Sequence, residues 1–241
     1  MTLTELSSFV TSKLSSTEAA DVAACQSYIN RRYQMIYEGY LWTETLGVAS
    51  TAVASSATEV VLSGAPSITF FHSAVAPVTF IDFPVATRFT ETGQTDGVEL
   101  PGYDWMSFFQ IDANAWNTDA GALATPRNFI NLPKSGGGFA RLRLVPTPSA
   151  AGTLYTLGKL KWVALAASDT PCLRGIDNTL LAYAEGDMLE RARQYQKAQS
   201  KYAEAGAHLA IMRDIEKGQQ QSISAIVPME EGYFQPTGGP M

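Results

Sequence analysis

The run Phe139-Ala140-Arg141-Leu142-Arg143-Leu144-Val145 alternates between basic and apolar side chains from Arg141 onward. Successive side chains of a strand point to opposite faces, so this spacing predicts a half-buried strand carrying two guanidiniums on one face and two leucines on the other. The guanidinium face reads as a polar outer surface, with pairing to acidic groups of a neighbouring subunit or to phosphates as the alternative. Working outward, Leu154 to Val163, Phe108 to Asp112, Val78-Thr79-Phe80-Ile81, Ser67-Ile68-Thr69-Phe70-Phe71 and the Thr- and Val-rich Thr45 to Leu62 have the same strand-forming texture. Gly64, Pro66, Pro77, Pro84, Gly93, Gly97, Pro101 and Gly102 interrupt them at short intervals. That punctuation belongs to antiparallel hairpins, not to strand-helix-strand units. Residues 42–166 are therefore expected to form a central antiparallel β-sandwich or barrel.

Both flanks read as helix. Thr2 with Glu5, and Ser15 with Glu18, match the box in which a hydroxyl and a carboxylate satisfy the free amides of a helix start. Val22, Cys25, Ile29, Tyr33 and Ile36 then recur at three- and four-residue steps up to Gly39. From Ile176 to Lys217 the chain lacks proline and is rich in Ala, Leu, Glu, Arg, Gln and Lys, which predicts one long helix or a hairpin of two, with Gly206 and Gly218 as candidate breaks. Leu181, Met188, Ala192, Tyr195, Tyr202, Leu209 and Met212 form a narrow stripe suited to one partner helix. The expected fold class is α+β. Residues 1–41 and 167–218 form a helical domain, 42–166 are inserted as the β-domain, and 219–241 form an extended tail that cannot build a core of its own.

A chain of 241 residues can bury a core without staples. Charged residues make up 17% of it, a sparse coating that leaves surface for protein contacts. The net charge of −6 opposes whole-surface attraction to nucleic acid, although DNA could still pass through a shaped lumen. No window approaches the roughly 20 apolar residues of a membrane helix. Met1 to Val10 lack the basic start and apolar run of a secretory signal, so a protein made in a reducing cytoplasm is expected.

Chemistry-bearing residues do not assemble into a known constellation. Cys25 and Cys172 lack C-x-x-C spacing and read as buried thiols. His72 and His208 read as structural or surface residues, and no metal or cofactor is expected. Lys134-Ser135-Gly136-Gly137-Gly138 has its glycines after the lysine and a strand following, the reverse of a phosphate loop, and reads as a hairpin connection. Asp96, Glu99, Asp104 and Asp112 read as solvated loop carboxylates, with sugar cleavage decided only by their separation. Tyr103, Trp105 and Trp116 could stack on sugars, against a core-packing role.

One resemblance spans most of the chain. Tyr28-Ile29-Asn30-Arg31-Arg32-Tyr33, then Trp42, Pro126-Arg127-Asn128-Phe129, Arg141 to Pro148, Asp169-Thr170-Pro171-Cys172-Leu173 and the helix holding Ala184, Glu185, Leu189, Arg193, Lys197 and Ala198 together resemble the phage head-tail adaptor (neck) proteins. The resemblance implies a virion structural protein and no enzyme: a dodecameric ring beneath the portal, joined to a tail or tail-completion protein, with genomic DNA passing through the lumen without sequence-specific binding. It implies that Arg31, Arg32, Arg191, Arg193 and Lys197 face a neighbouring subunit or the channel. It also implies that the tail, through Ile223, Ile226, Val227, Tyr233 and Phe234, docks on the portal or an adjacent subunit. The alternatives are another virion component, such as a tail-tube, tail-completion or head-decoration protein, and a carbohydrate-binding β-domain.

Overall fold

In the computed structural model, residues 1–16, 18–70, 80–103 and 123–226 are described. Helix α1 spans Leu3–Lys13 and opens on the expected box: Glu5 N donates to the Thr2 hydroxyl while the Thr2 amide donates to the Glu5 carboxylate. Helix α2 spans Ala19–Gly39, ends at the expected glycine and buries Cys25, Ile29, Tyr33, Ile36 and Tyr37 along one face. The second capping box does not form. Ser15 turns left-handed at φ 54°, α2 starts after Glu18 with no side-chain cap, and the Ser16 hydroxyl reaches Asp21 instead.

After a single 3-10 turn, Thr43–Thr45, the chain enters β1 (Leu46–Val53), β2 (Glu59–Val61), β3 (Ile68–Thr69), β4 (Ile81–Glu91), β5 (Val98–Leu100), β6 (Gly102–Tyr103), β7 (Asn128–Leu132), β8 (Arg141–Val145) and β9 (Gly152–Leu160). A five-stranded antiparallel sheet runs β3-β1-β9-β4-β5, and a four-stranded sheet runs β2-β8-β7-β6, antiparallel except for the β6–β7 pair. The two sheets bury one common cluster, with Ala49, Phe89, Leu154 and Leu160 from the first meeting Val60, Phe129, Leu142 and Leu144 from the second. Each sheet keeps its own edges, so a closed barrel is excluded. Leu142 and Leu144 are buried and Arg141 and Arg143 half-buried, as the alternation requires. The Lys134–Gly138 segment is a hairpin connection between the antiparallel β7 and β8. The expected strand at Phe108 to Asp112 and the residues Val78 and Thr79 lie outside the described residues.

Central strand β9 carries Gly158 against the irregular part of β4. A Cβ there would sit 2.4 Å from the Ile81 side chain and 2.7 Å from the Phe83 carbonyl, so the bulged strand can approach this closely only over glycine.

The C-terminal helices are a hairpin: α3 (Ile176–Arg191) and α4 (Tyr195–Ile226), turned by Arg193 in the left-handed region at φ 60°. Neither Gly206 nor Gly218 breaks α4, and residues 219–226, expected as extended tail, are helical. A solvated helical glycine costs only about 1 kcal/mol, which the Ala, Gln, Lys and Glu residues around it offset. Ile176, Leu180, Ala184 and Met188 of α3 pack with α1, α2, Trp42 and Leu173 in a second core. The expected stripe is corrected at its middle: Ala192 and Tyr195 are exposed because the chain turns there. The two cores are tied where Tyr37 Oη donates to the Leu160 carbonyl at 2.8 Å and where Lys159 Nζ donates to the carbonyls of Glu38 and Tyr40 at the C-terminal end of α2.

Candidate functional site

Arg32 projects from α2 toward the α3–α4 hairpin. Its Nε and Nη2 donate to the two carboxylate oxygens of Asp187 at 2.8 and 2.5 Å, and the guanidinium lies 4.9 and 5.3 Å from the ring centroids of Tyr183 and Tyr202. The hydrogen bond to Asp187 raises the Arg32 pKa further still, so the guanidinium keeps its charge. The Tyr202 hydroxyl is held between Asp187 Oδ1 and Glu190 Oε2 at 2.8 and 2.6 Å. The ring of Tyr202 lies over Gly186, where a Cβ would meet it at 2.5 Å. One face of the helical unit is thereby fixed by an arginine, two tyrosines and two carboxylates.

The residues expected at a subunit interface or channel divide here. Arg31, Arg32 and Arg191 line one cleft of about 590 Å³ with Tyr28, Met35, Asp187, Glu190 and Tyr195. Arg32 is an internal clamp inside it. Arg31 is exposed and has no salt bridge among the described residues, whereas Arg191 lies 3.2 Å from Asp21. Arg193 in the turn and Lys197 on the first turn of α4 are exposed beyond the cleft. Ile223 and Ile226 fall in the last turns of α4, and Val227, Tyr233 and Phe234 lie outside the described residues.

A second cleft, of about 400 Å³, was not legible in the sequence. Trp42, Leu173, Ile211, Met212 and Ile215 supply its apolar wall, and Arg174, His208 and Glu216 its polar rim. Ile211 and Ile215 are 58% and 57% exposed, so α4 carries an apolar strip away from its own core. Glu216, 3% exposed, accepts from the amide and hydroxyl of Thr43 at 2.7 and 2.5 Å, anchoring α4 to the turn that leads into β1. At the other end, Glu185 is tied to Lys13 of α1 at 2.5 Å and to Lys201 of α4 at 3.1 Å.

The outer face of the five-stranded sheet is also apolar in part. Cross-strand register aligns Ile68, Val48, Leu157 and Ala86 across β3, β1, β9 and β4, with Phe83 and Tyr155 exposed on the same face. Solvent-facing sheets ordinarily carry polar residues there.

Among the described residues, no group of three or more His, Cys, Asp or Glu could hold a metal ion. Both cysteines are buried free thiols, pushed up by burial to about 12 for Cys25 and about 11 for Cys172. His208 faces Glu204 at 3.9 Å. Glu99 stands opposite Arg88 in the β4–β5 pair, while His72, Asp104, Asp112, Trp105 and Trp116 lie outside the described residues. No helix among the described residues is long and apolar enough to cross a membrane.

No protein-family model matches the chain, and no curated protein matches it.

Proposed function

We propose that this chain is a structural subunit of a phage neck, a head-to-tail adaptor that forms a ring beneath the portal and lets DNA pass to the tail. In this reading the helical unit built from 1–41 and 167–218 packs against its copies, and the inserted β-domain extends toward the tail or outward. The observation that carries it is the 32-residue helix α4, which ties its inner side to the core through Leu209, Met212 and Glu216 and leaves Ile211 and Ile215 exposed beside a cleft. A helix held this firmly with apolar residues outward has the character of a surface for protein contact. The net charge of −6 suits a conduit, because a wall rich in Lys and Arg would bind phosphates and hold the genome. The portal and a tail protein are the partners this reading requires, the virion is its location, and no catalysis or cofactor belongs to it.

A second reading, another virion component joined through its β-domain, draws on the apolar outer face of the large sheet, with Ile68, Phe83 and Tyr155 exposed. Symmetry-resolved images of the purified protein, alone and with its portal, separate the two. Single rings of defined symmetry on the portal support the adaptor; copies spread along a tube or over a shell support the second reading and overturn the first.

A further inference from the structure

Cross-strand register sets Ser50, Tyr155, Arg88 and Glu99 side by side across β1, β9, β4 and β5. Their chain neighbours Ala49, Leu154, Phe89 and Leu100 belong to the core between the sheets, so alternation turns this row outward. All four residues are exposed, Tyr155 by 45%. The adjoining row, Val48, Leu157 and Ala86, is apolar and half-buried. Tyr155, Arg88 and Glu99 line, with that apolar row, an open depression of about 440 Å³ on the face of the sheet.

Arg88 is held in place there. A Cβ on Gly97, just before β5, would stand 2.6 Å from its Nε and 2.9 Å from its Cγ, so the side chain lies against that backbone. Neither Arg88 nor Glu99 has a salt bridge among the described residues, which leaves the donors of one and the acceptor oxygens of the other for a ligand. The opposite charges of the two oppose a strongly charged ligand of either sign. What the depression requires is a neutral molecule with an apolar face and a rim of donors and acceptors.

A pyranose ring has that character, with C–H groups on its faces and hydroxyls around its edge. The Tyr155 ring and the Leu157–Val48 floor suit the face, while Arg88 donates to and Glu99 accepts from the hydroxyls. From Ser50 to Glu99 the row crosses three strand spacings, about 14 Å, on an open surface, so it has room for linked sugars running across the strands. Tyr103, expected as a stacking residue, belongs to the other sheet.

We infer that the outer face of the large sheet holds a binding site for a neutral oligosaccharide, with Tyr155 as the platform and Arg88 and Glu99 as its hydrogen-bonding pair. The site binds without cleaving, since Glu99 is the one carboxylate among the described residues lining it and glycoside hydrolysis uses two. It lies on the β-domain and goes beyond the ring reading, which it does not require.

The test applies the fluorescently labelled full-length protein to an array of neutral and N-acetylated hexose oligosaccharides, and measures each retained sugar by titration calorimetry. Y155A and R88A are each expected to weaken binding about tenfold or more, Y155F to keep most of it, and a monosaccharide to bind more weakly than its oligomer. Both positions are exposed, and circular dichroism melts check that the variants fold. A wild-type chain retained by no sugar overturns the inference, as does retention that Y155A and R88A leave unchanged. If Y155A alters sedimentation of the protein and not its retention by sugars, the face is a protein contact and the assignment to a saccharide fails.

Discussion

Arg32 of α2 and Asp187 of α3, 155 residues apart in the chain, are joined by two hydrogen bonds at 2.8 and 2.5 Å. Asp187 is only 10% exposed and Arg32 25%, so the pair is partly shielded from solvent and its geometry is forked. Replacing Arg32 with Lys keeps the charge but loses the fork and the flat contact with Tyr183 and Tyr202. R32K is expected to lower stability by about 2 kcal/mol, and D187N by a similar amount, measured by urea denaturation. Equal stability of R32K and wild type would show that the fork contributes nothing.

Gly186→Ala should be destabilising although alanine is the better helix former by about 1 kcal/mol. The added methyl meets Tyr202, whose hydroxyl is fastened to Asp187 and Glu190 and cannot swing aside without releasing both. A net loss of about 1–3 kcal/mol is expected, and G186A with Y202A should be less destabilised than the sum of the two single changes.

The thiols should be inert in the folded protein. Burial raises Cys25 to about 12 and Cys172 to about 11 from 9.0, so neither is a thiolate near neutral pH, and a thiol reagent should label both only on unfolding. The same shifts set an alkaline limit. A folded pKa above the unfolded one gives stability that is complete below about pH 9 and is lost as pH rises toward 11 and 12. Tyr33 and Tyr37, raised by burial from 10.0, act in the same direction. Denaturation midpoints should be level from neutral pH to about 8.5 and fall above 9; a midpoint that rises there would contradict the burial argument.

Glu216→Ala should loosen the junction between the units. It removes the acceptor of the Thr43 amide and hydroxyl, leaving a part-buried donor without that partner, at about 2 kcal/mol. Hydrogen exchange is expected to quicken at residues 43–46 more than in β4 or β8. By contrast, Glu59→Ala, which removes the exposed partner of Arg141, should change stability by less than about 1 kcal/mol.

What the sequence disclosed was whatever is periodic. The α2 stripe from Cys25 to Ile36, the Thr2–Glu5 box and the Arg141–Leu144 alternation follow from side-chain direction alone, and each formed. What depended on partners far along the chain stayed hidden. Arg32, expected to face a neighbouring subunit or the channel, is an internal clamp because Asp187 and Tyr202 arrive from the other helical segment, and the ring of Tyr202 lies across Gly186. The break after Arg191 lies in a run of good helix formers, whereas Gly206 and Gly218, which read as breaks, lie within helix. Ile211 and Ile215 stand one helical turn apart beside the stripe of Leu209 and Met212, so its periodicity does not include them.

The pairing of β1 with β9 has a consequence for how such a chain can change. β1 is reached from α2 and β9 leads on to α3, and at their outer ends Leu46 stands directly opposite Lys159. Entry and exit of the whole inserted region are therefore about 5 Å apart, the width of one antiparallel rung. A tight turn joining those two positions would excise the β-domain without moving a helix, and a larger domain could be spliced there as readily. The helical unit is thus a socket, and the module plugged into it is free to differ wherever a different partner has to be met.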